Sequence, residues 1–113
     1  MITDDIELLT NAALKNCSWM GLDLGTKTIG VSVSDRLLSS ATPLLTVKRK
    51  KFTQDAKELL GIIVDREIGA VVLGLPRNMD GSEGPRCQST RSFARNLSTL
   101  TNIPIGFWDE RLS

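Results

Sequence analysis

A short apolar run that directly follows an amphipathic helix is the feature that most limits the fold of this chain. Residues 70–75 read AVVLGL, and the preceding segment 52–63 carries apolar side chains at 3.6-residue spacing. A continuous apolar run of this length is typical of a parallel strand buried on both faces. Since parallel strands need crossover connections, we predict an α/β domain with this strand near the sheet centre.

Three further segments predict strands. Residues 19–24 and 29–34 are apolar and β-branched, and the turn at 25–28 between them indicates a tight hairpin. Residues 41–47 predict a strand near an edge, because Pro43 lacks a backbone N–H for the sheet ladder. Residues 103–108 predict a last strand.

Helices are predicted from the spacing of apolar side chains. The helix before the buried strand should be capped by Thr53 and end near Gly69. A second helix is indicated by apolar residues at helical spacing, namely Phe93, Leu97 and Leu100. A short leading helix is indicated by Ile2, Ile6, Leu9 and Ala13.

Composition restricts the class of protein. A chain of 113 residues forms one domain, and 41% hydrophobic with 24% charged residues is typical of soluble globular proteins. No apolar run approaches the roughly 20 residues that cross a bilayer, and the N-terminus is acidic where a secretory signal is basic. We therefore expect a cytoplasmic protein that does not enter a membrane.

The chemistry open to this chain is limited by its lack of histidine. Ser-His and Cys-His nucleophile pairs are excluded, and Cys17 and Cys87 have no zinc-like spacing. A net charge of +1 gives no overall attraction to a polyanion. Any catalysis must therefore use carboxylates, a metal ion, lysine or the backbone, and any nucleic-acid site must be local.

Three segments carry a resemblance to a known family. They are MGLDLGTKTIGVSVSD at 20–35, VVLGLPRNMDGSEGP at 71–85 and DERLS at 109–113. In this order and spacing they resemble the YqgF/RuvX family, whose members are similar to RuvC Holliday-junction resolvases. The resemblance implies an RNase H-like α/β fold, a mixed sheet of about five strands with flanking helices. The first strand would be central, with the two later strands beside it on one side.

The resemblance also divides the chain. Residues 1–18 would be an N-terminal helical extension, and residues 19–113 the RNase H-like domain. Family members continue past the DER motif into a helix that adds an aspartate to the metal site. Because Ser113 is the last residue of this sequence, we expect the domain to be C-terminally truncated.

The function implied by the resemblance is metal-dependent hydrolysis of phosphodiester bonds in 5′-end maturation of pre-16S rRNA. Ribosomal particles would then be partners. The implied catalytic residues are Asp23, Asp109 and Glu110. Read alone, Asp23 is an ordinary turn aspartate and the other two a solvated strand end. Neighbouring strand residues face opposite sides, so only one of Asp109 and Glu110 should face Asp23.

Asp23 and Glu110 are the expected metal ligands. Their strands would lie roughly 10 Å apart, a gap that two Mg²⁺ ions about 4 Å apart can fill, and Glu110 reaches further than Asp109. Oxygen ligands favour Mg²⁺ or Mn²⁺ over zinc. We hypothesise that one ion activates the attacking water while the other stabilises the leaving oxygen.

Candidate substrate-binding residues lie in three loops. The hairpin turn has one lysine, and residues 48–51 form the densest run of charge. The loop after the buried strand belongs to the segment 71–85 that resembles the family. Each has an ordinary reading as an exposed turn or solvated loop. The candidates are Lys27, Arg77, Asn78, Asp80, Lys48 and Arg49.

Other functions remain open from the sequence. The chain resembles a nuclease, but it would also suit a non-catalytic RNase H-like module that binds RNA or protein. A Holliday-junction resolvase differs only in its substrate. A phosphotransferase of the actin type is least favoured, since a second lobe would be needed to enclose ATP.

Overall fold

The computed structural model describes residues 1–35 and 41–110, in which six strands form one mixed sheet. The strands are β1 (Ile2–Thr3), β2 (Ser18–Leu24), β3 (Thr28–Ser34), β4 (Ala41–Lys48), β5 (Ile68–Leu75) and β6 (Ile105–Asp109). Their order across the sheet is β1-β6-β5-β2-β3-β4. The helices are α1 (Ile6–Ala12), α2 (Phe52–Asp65) and α3 (Pro85–Ser98). In the described ranges, no helix has the length and apolar character that crossing a bilayer requires.

The centre of the sheet is parallel. Strand β5 pairs in parallel with β2 on one side and with β6 on the other. This agrees with the predicted buried parallel strand and with the expected position of the two later strands beside the first. All three strands bury alternate apolar residues on one face, where α2 and α3 cover them; among these are Leu22, Leu24, Leu73, Leu75, Ile105 and Phe107.

The predicted hairpin and edge strand are also present. Strands β2 and β3 are antiparallel, with Asp23 opposite Gly30, and the tight turn is closed by the Gly25 N–H donating to the Thr28 carbonyl at 2.8 Å. Strand β4 pairs with β3 and is the last strand on that side of the described sheet, as the proline at position 43 predicted.

Several element limits differ from the predictions. Helix α2 ends at Asp65, before Gly69, because Glu67 adopts a left-handed conformation (φ 51°) that turns the chain into β5. Its N-cap is Lys51, two residues before the expected Thr53. Helix α3 ends at Ser98, so Leu100 lies beyond it and is 51% exposed.

The N-terminal segment also differs from a plain helix. Ile2 belongs to β1, which pairs in parallel with β6 and raises the strand number to six. Helix α1 then begins at Ile6, with Asp5 as its N-cap. Leu9 is fully buried against Gly106, where an added Cβ would lie 2.5 Å from its Cδ2. Residues 1–12 therefore pack on the sheet as part of the domain.

Helix α1 covers only part of the second face of the sheet. Gly106 faces α1, whereas its neighbours Ile105 and Phe107 face the core under α2 and α3. Along β2 and β5 this face includes Gly21, Asp23, Val72 and Gly74, which line an open cleft. The uncovered area leads to the carboxyl ends of the parallel strands, where α/β sheets bind ligands.

Packing of α1 on the sheet gives a testable prediction. Leu9→Ala should lower the free energy of unfolding by about 2–5 kcal/mol, because it leaves a cavity against Gly106. Leu8→Ala is the matched control, since Leu8 is 53% exposed and its loss should change stability by less than about 0.5 kcal/mol. Urea unfolding followed by tryptophan fluorescence measures both. Equal effects would show that α1 is not packed on the sheet.

Candidate active site

The open part of the second face forms a cleft of about 480 Å³. Its floor consists of small residues of β2, β3 and β5, and its rim includes the half-exposed Trp108 and Leu45. The lining includes two acids, Asp23 and Glu110.

Strand register places Asp23 in a row with two glycines. Asp23 pairs with Gly30 on β3, and because Leu22 pairs with Leu73, the next residue Gly74 lies beside it on β5. An added Cβ on Gly30 would lie 3.6 Å from the Asp23 Cβ. With no side chain on either neighbour, the exposed Asp23 carboxylate is accessible from above the sheet.

Glu110 reaches the same point from the end of β6. Its side chain crosses β5 over Gly74, where an added Cβ would lie 2.9 Å from Cδ and 3.0 Å from Cγ of Glu110. It makes a side-chain hydrogen bond with Asp23. The strand order β6-β5-β2 agrees with the predicted two-strand separation, but the expected gap between the side chains is closed by the length of Glu110.

The contact between these acids changes the proton affinity of Glu110. Burial raises the pKa of the Glu110 carboxyl, the charge of Asp23 raises it further, and Arg86 partly opposes both effects. A hydrogen bond between two carboxyl groups needs one shared proton. Glu110 therefore holds a proton more readily than an isolated glutamate does.

Asp109 faces away from this pair. Its carboxylate lies 3.8 Å from Nη1 of Arg77, and its side chain is only 14% exposed. Alternation along β6 thus directs Asp109 and Glu110 to different partners. Of the three acids predicted to be catalytic, the structure brings together Asp23 and Glu110, and it places Asp109 in a separate ionic cluster.

That cluster links four parts of the chain. Arg91 on α3 donates to both carboxylate oxygens of Asp4 at 2.9 Å and to both of Glu83 at 2.7 Å. Arg77 lies 3.3 Å from Glu83 and 3.6 Å from Asp4. We name Asp4, Arg77, Glu83, Arg91 and Asp109 the ionic cluster. It fixes the loop after β5 and the end of β6.

The other predicted residues of this loop also have internal partners. Asn78 donates from Nδ2 to the Ser82 hydroxyl at 3.0 Å, and Asp80 accepts from the backbone and hydroxyl of Ser82 at 2.8 and 2.6 Å. These bonds close the turn at Gly81, which has φ 90°. Together with the ion pairs of Arg77, they hold the loop shape.

The basic candidates lie around the hairpin turn. Lys27 and Lys48 are exposed, and Arg49 donates from Nη1 to the Gly25 carbonyl at 2.6 Å. Sequence reasoning missed Arg86, which donates to the Leu24 carbonyl at 3.5 Å and influences Glu110. No local pattern distinguished this arginine from the other cations of α3.

The residues of the cleft suit a divalent cation in their donor chemistry. Asp23 and Glu110 offer only carboxylate oxygens, which Mg²⁺ and Mn²⁺ prefer, and the Gly74 position leaves space for Glu110. In the ranges 1–35 and 41–110, no group of three or more His, Cys, Asp or Glu side chains is placed to hold a metal ion. These two acids are therefore a partial ligand set.

Comparison with known proteins adds independent evidence. The RuvX family model, described as Holliday junction resolvase, matches residues 17–113. A curated protein of Ruegeria sp. (strain TM1040), named "Putative pre-16S rRNA nuclease", is 63% identical over 113 residues, which is 100% of this chain and 72% of that protein. A protein of the same name from Roseobacter denitrificans is 64% identical over 115 residues, which cover 100% of this chain and 71% of that protein.

Solved structures are similar at lower sequence identity. A Thermus thermophilus RuvC structure has a TM-score of 0.58 and 13% identity over 81% of this chain and 63% of RuvC. RuvC from the same organism in complex with a Holliday junction substrate has a TM-score of 0.56 and 14% sequence identity. That match covers 82% of this chain and 64% of RuvC. These likenesses confirm the predicted RNase H-like α/β fold.

The ionic cluster predicts a pH dependence of stability. Hydrogen bonds from Arg91 hold the pKa values of Asp4 and Glu83 below their usual range. Stability from these acids should be fully present above their unfolded-state values of 3.8 and 4.5, and lost as pH falls through the lower folded-state values. Arg91→Ala should therefore flatten the acid side of the stability profile.

The size of this effect is limited by solvent, since a quarter of the Arg91 side chain is exposed. At pH 7 we expect Arg91→Ala to cost about 1–2 kcal/mol. Urea unfolding at pH 7 and pH 3 measures the loss of stability at neutral pH and the change in the acid profile. Arg95→Ala is the control, because the Arg95 side chain donates to the Ser92 hydroxyl and lies outside the ionic cluster. An unchanged acid profile in Arg91→Ala would contradict the role of the cluster.

Proposed function

Since the chain belongs to the RuvX family, we propose that it is a metal-dependent nuclease that matures the 5′ end of pre-16S rRNA in the cytoplasm. The observation that carries this proposal is the meeting of Asp23 and Glu110 in one open cleft, although they come from opposite ends of the chain. The names of its relatives support pre-16S rRNA as the substrate, and we propose that it is cut within ribosomal particles.

Asp23 and Glu110 are proposed to hold Mg²⁺ or Mn²⁺. When bound, such ions activate water and neutralise the charge that develops at a cleaved phosphodiester. Glu110 must give up the proton that its raised pKa favours, so cation binding should strengthen with pH. Gly74 and Gly30 keep the space above the acids open to a phosphodiester.

The basic residues of the turn are proposed to hold the RNA backbone. Lys27, Lys48 and Arg49 lie around the hairpin that carries Asp23, and phosphate contacts would bring the strand to the acids without reading its sequence. Arg77 is instead proposed as a positioning residue, because its pairing with Asp109 leaves Glu110 to face the cleft.

Two alternatives are supported by specific observations. A non-catalytic RNA-binding module is supported by the presence of only two carboxylates at the cleft among the described residues. A junction resolvase is supported by the description of the family model. An assay that offers pre-16S precursor and a synthetic four-way junction separates them, since a module binds without cutting and a resolvase prefers the junction.

Substitution of the paired acids tests the nuclease proposal. Asp23→Asn and Glu110→Gln should each lower Mg²⁺-dependent cleavage of ribosomal particles that carry pre-16S rRNA by at least about 100-fold, because each removes a ligand charge. Chelation with EDTA should abolish cleavage by the unmodified chain. Gel analysis of the rRNA 5′ end measures the rate.

Matched controls exist on the helix side of the sheet. Glu58→Gln and Asp65→Asn make the same chemical changes at exposed positions of α2 and should leave the rate unchanged. Cleavage that survives loss of Asp23 or Glu110 would contradict the assignment. Binding of the particles without cleavage, with or without Mg²⁺, would favour the binding module.

Gly74 gives a sharper test of geometry. In Gly74→Ala the new Cβ would overlap the flexible end of Glu110 and push it from Asp23, lowering cleavage by about 100-fold. Stability should change by less than about 1 kcal/mol, since the overlapping atoms can move. Gly61→Ala in α2 meets nothing within 4 Å and should leave cleavage unchanged. Full activity of Gly74→Ala would show that Glu110 need not cross β5 here.

A further inference from the structure

The arginines near the cleft fall into two groups by their partners. Arg77 and Arg91 are paired with carboxylates in the ionic cluster. Arg49 and Arg86 instead donate their side-chain hydrogen bonds only to backbone carbonyls among the described residues, those of Gly25 and Leu24. Within residues 1–35 and 41–110, neither charge is paired directly with a carboxylate.

These two arginines line a small cavity. It has a volume of about 150 Å³ and lies between the hairpin turn and the first turns of α3. Thr26 and Ser89 also line it, and Ser89 is exposed on α3. Arginine offers a planar fork of donors that matches phosphate oxygens, and hydroxyl groups can add further bonds. The cavity thus has the chemistry of an anion site.

The cavity adjoins the proposed metal ligands. The Leu24 carbonyl that accepts from Arg86 belongs to the residue after Asp23. Arg86 is also close enough to Glu110 for its charge to act on that carboxyl. An anion between Arg49 and Arg86 would therefore lie at the carboxyl end of β2, which also carries Asp23.

A second groove continues from this cavity. It has a volume of about 530 Å³, shares Arg49, Pro85 and Ser89 with the cavity, and runs along α3. Its further lining includes uncharged polar side chains of α3, namely Gln88, Ser92 and Asn96. Such side chains commonly bind phosphate and sugar oxygens. The two openings form one path away from the acids.

We propose that the cavity between Arg49 and Arg86 binds a phosphate of the RNA strand next to the one that is cut, and that the strand continues along α3. This proposal rests on the proposed nuclease function. Arg86 is thereby assigned as a substrate-binding residue. The Gly25 carbonyl accepts from Arg49 at 2.6 Å before RNA arrives, which lowers the cost of ordering that side chain on binding, and the Leu24 carbonyl lies 3.5 Å from Arg86.

The salt dependence of RNA binding tests this site. We would measure binding of a single-stranded RNA of the pre-16S 5′ precursor sequence by fluorescence anisotropy in EDTA, over a range of salt concentrations. Arg49→Gln and Arg86→Gln should each reduce the slope of log affinity against log salt by about 0.7, and the double variant by about 1.4. Arg66→Gln, at the opposite end of the sheet, should leave the slope unchanged.

A variant that keeps both arginines distinguishes loss of phosphate binding from loss of folding. Ser89→Asp places a carboxylate in the cavity and should weaken RNA binding without removing either carbonyl contact. Asn11→Asp on exposed α1 makes the same change of charge elsewhere and should not weaken binding comparably. Arg86→Lys should keep the slope, because it keeps the charge.

The outcomes separate this inference from the nuclease proposal. Unchanged slopes and unchanged affinity in Ser89→Asp, with normal Mg²⁺-dependent cleavage, would overturn the phosphate cavity and leave the nuclease function intact. Reduced slopes in a protein that never cleaves would support the cavity and overturn the nuclease function. Failure of the unmodified chain to bind this RNA would overturn both.

Discussion

Parallel pairing of β5 with β2 and with β6 is the constraint on which the rest of the site depends. It brings the carboxyl ends of three strands to one edge, so acids far apart in sequence meet there. The middle strand must also have no side chain where Glu110 crosses it, and Gly74 occupies that position. Strand pairing determines the side from which Glu110 approaches Asp23, and the missing side chain at Gly74 allows the two carboxyl groups to come close. The carboxyl pair is a product of both.

Much of this arrangement follows from local sequence patterns. Alternation and apolar runs predict the hairpin, the buried strand and the main helices, because burial acts on neighbouring residues in a regular way. The choice of Glu110 over Asp109 follows from alternation and side-chain length. By contrast, β1 has only two residues, and its strand form depends on β6, a partner distant in sequence. Such pairings leave no periodic signal.

Side-chain partners are the part that local patterns predict least well. Arg77 and Arg86 are both loop or helix-start arginines near matched motifs, yet the fold gives one an acidic partner and the other a carbonyl. That difference arises from contacts with residues many positions away. It separates an arginine that is paired with acids of the ionic cluster from one whose hydrogen bond goes to the backbone. Only the three-dimensional neighbours of each guanidinium reveal this division.

Strand β1 also covers the edge of β6. The Ile105 N–H donates to the Met1 carbonyl at 2.9 Å, and Ile2 and Thr3 lie beside Ile105 and Gly106. Without these residues, β6 would present unpaired backbone groups along a largely apolar strand, the kind of edge that recruits strands from other molecules. The first three residues therefore occupy the backbone groups through which this edge could pair with another molecule. Removal of these residues would leave the backbone groups of Ile105 and Gly106 open to pairing with a strand of another molecule.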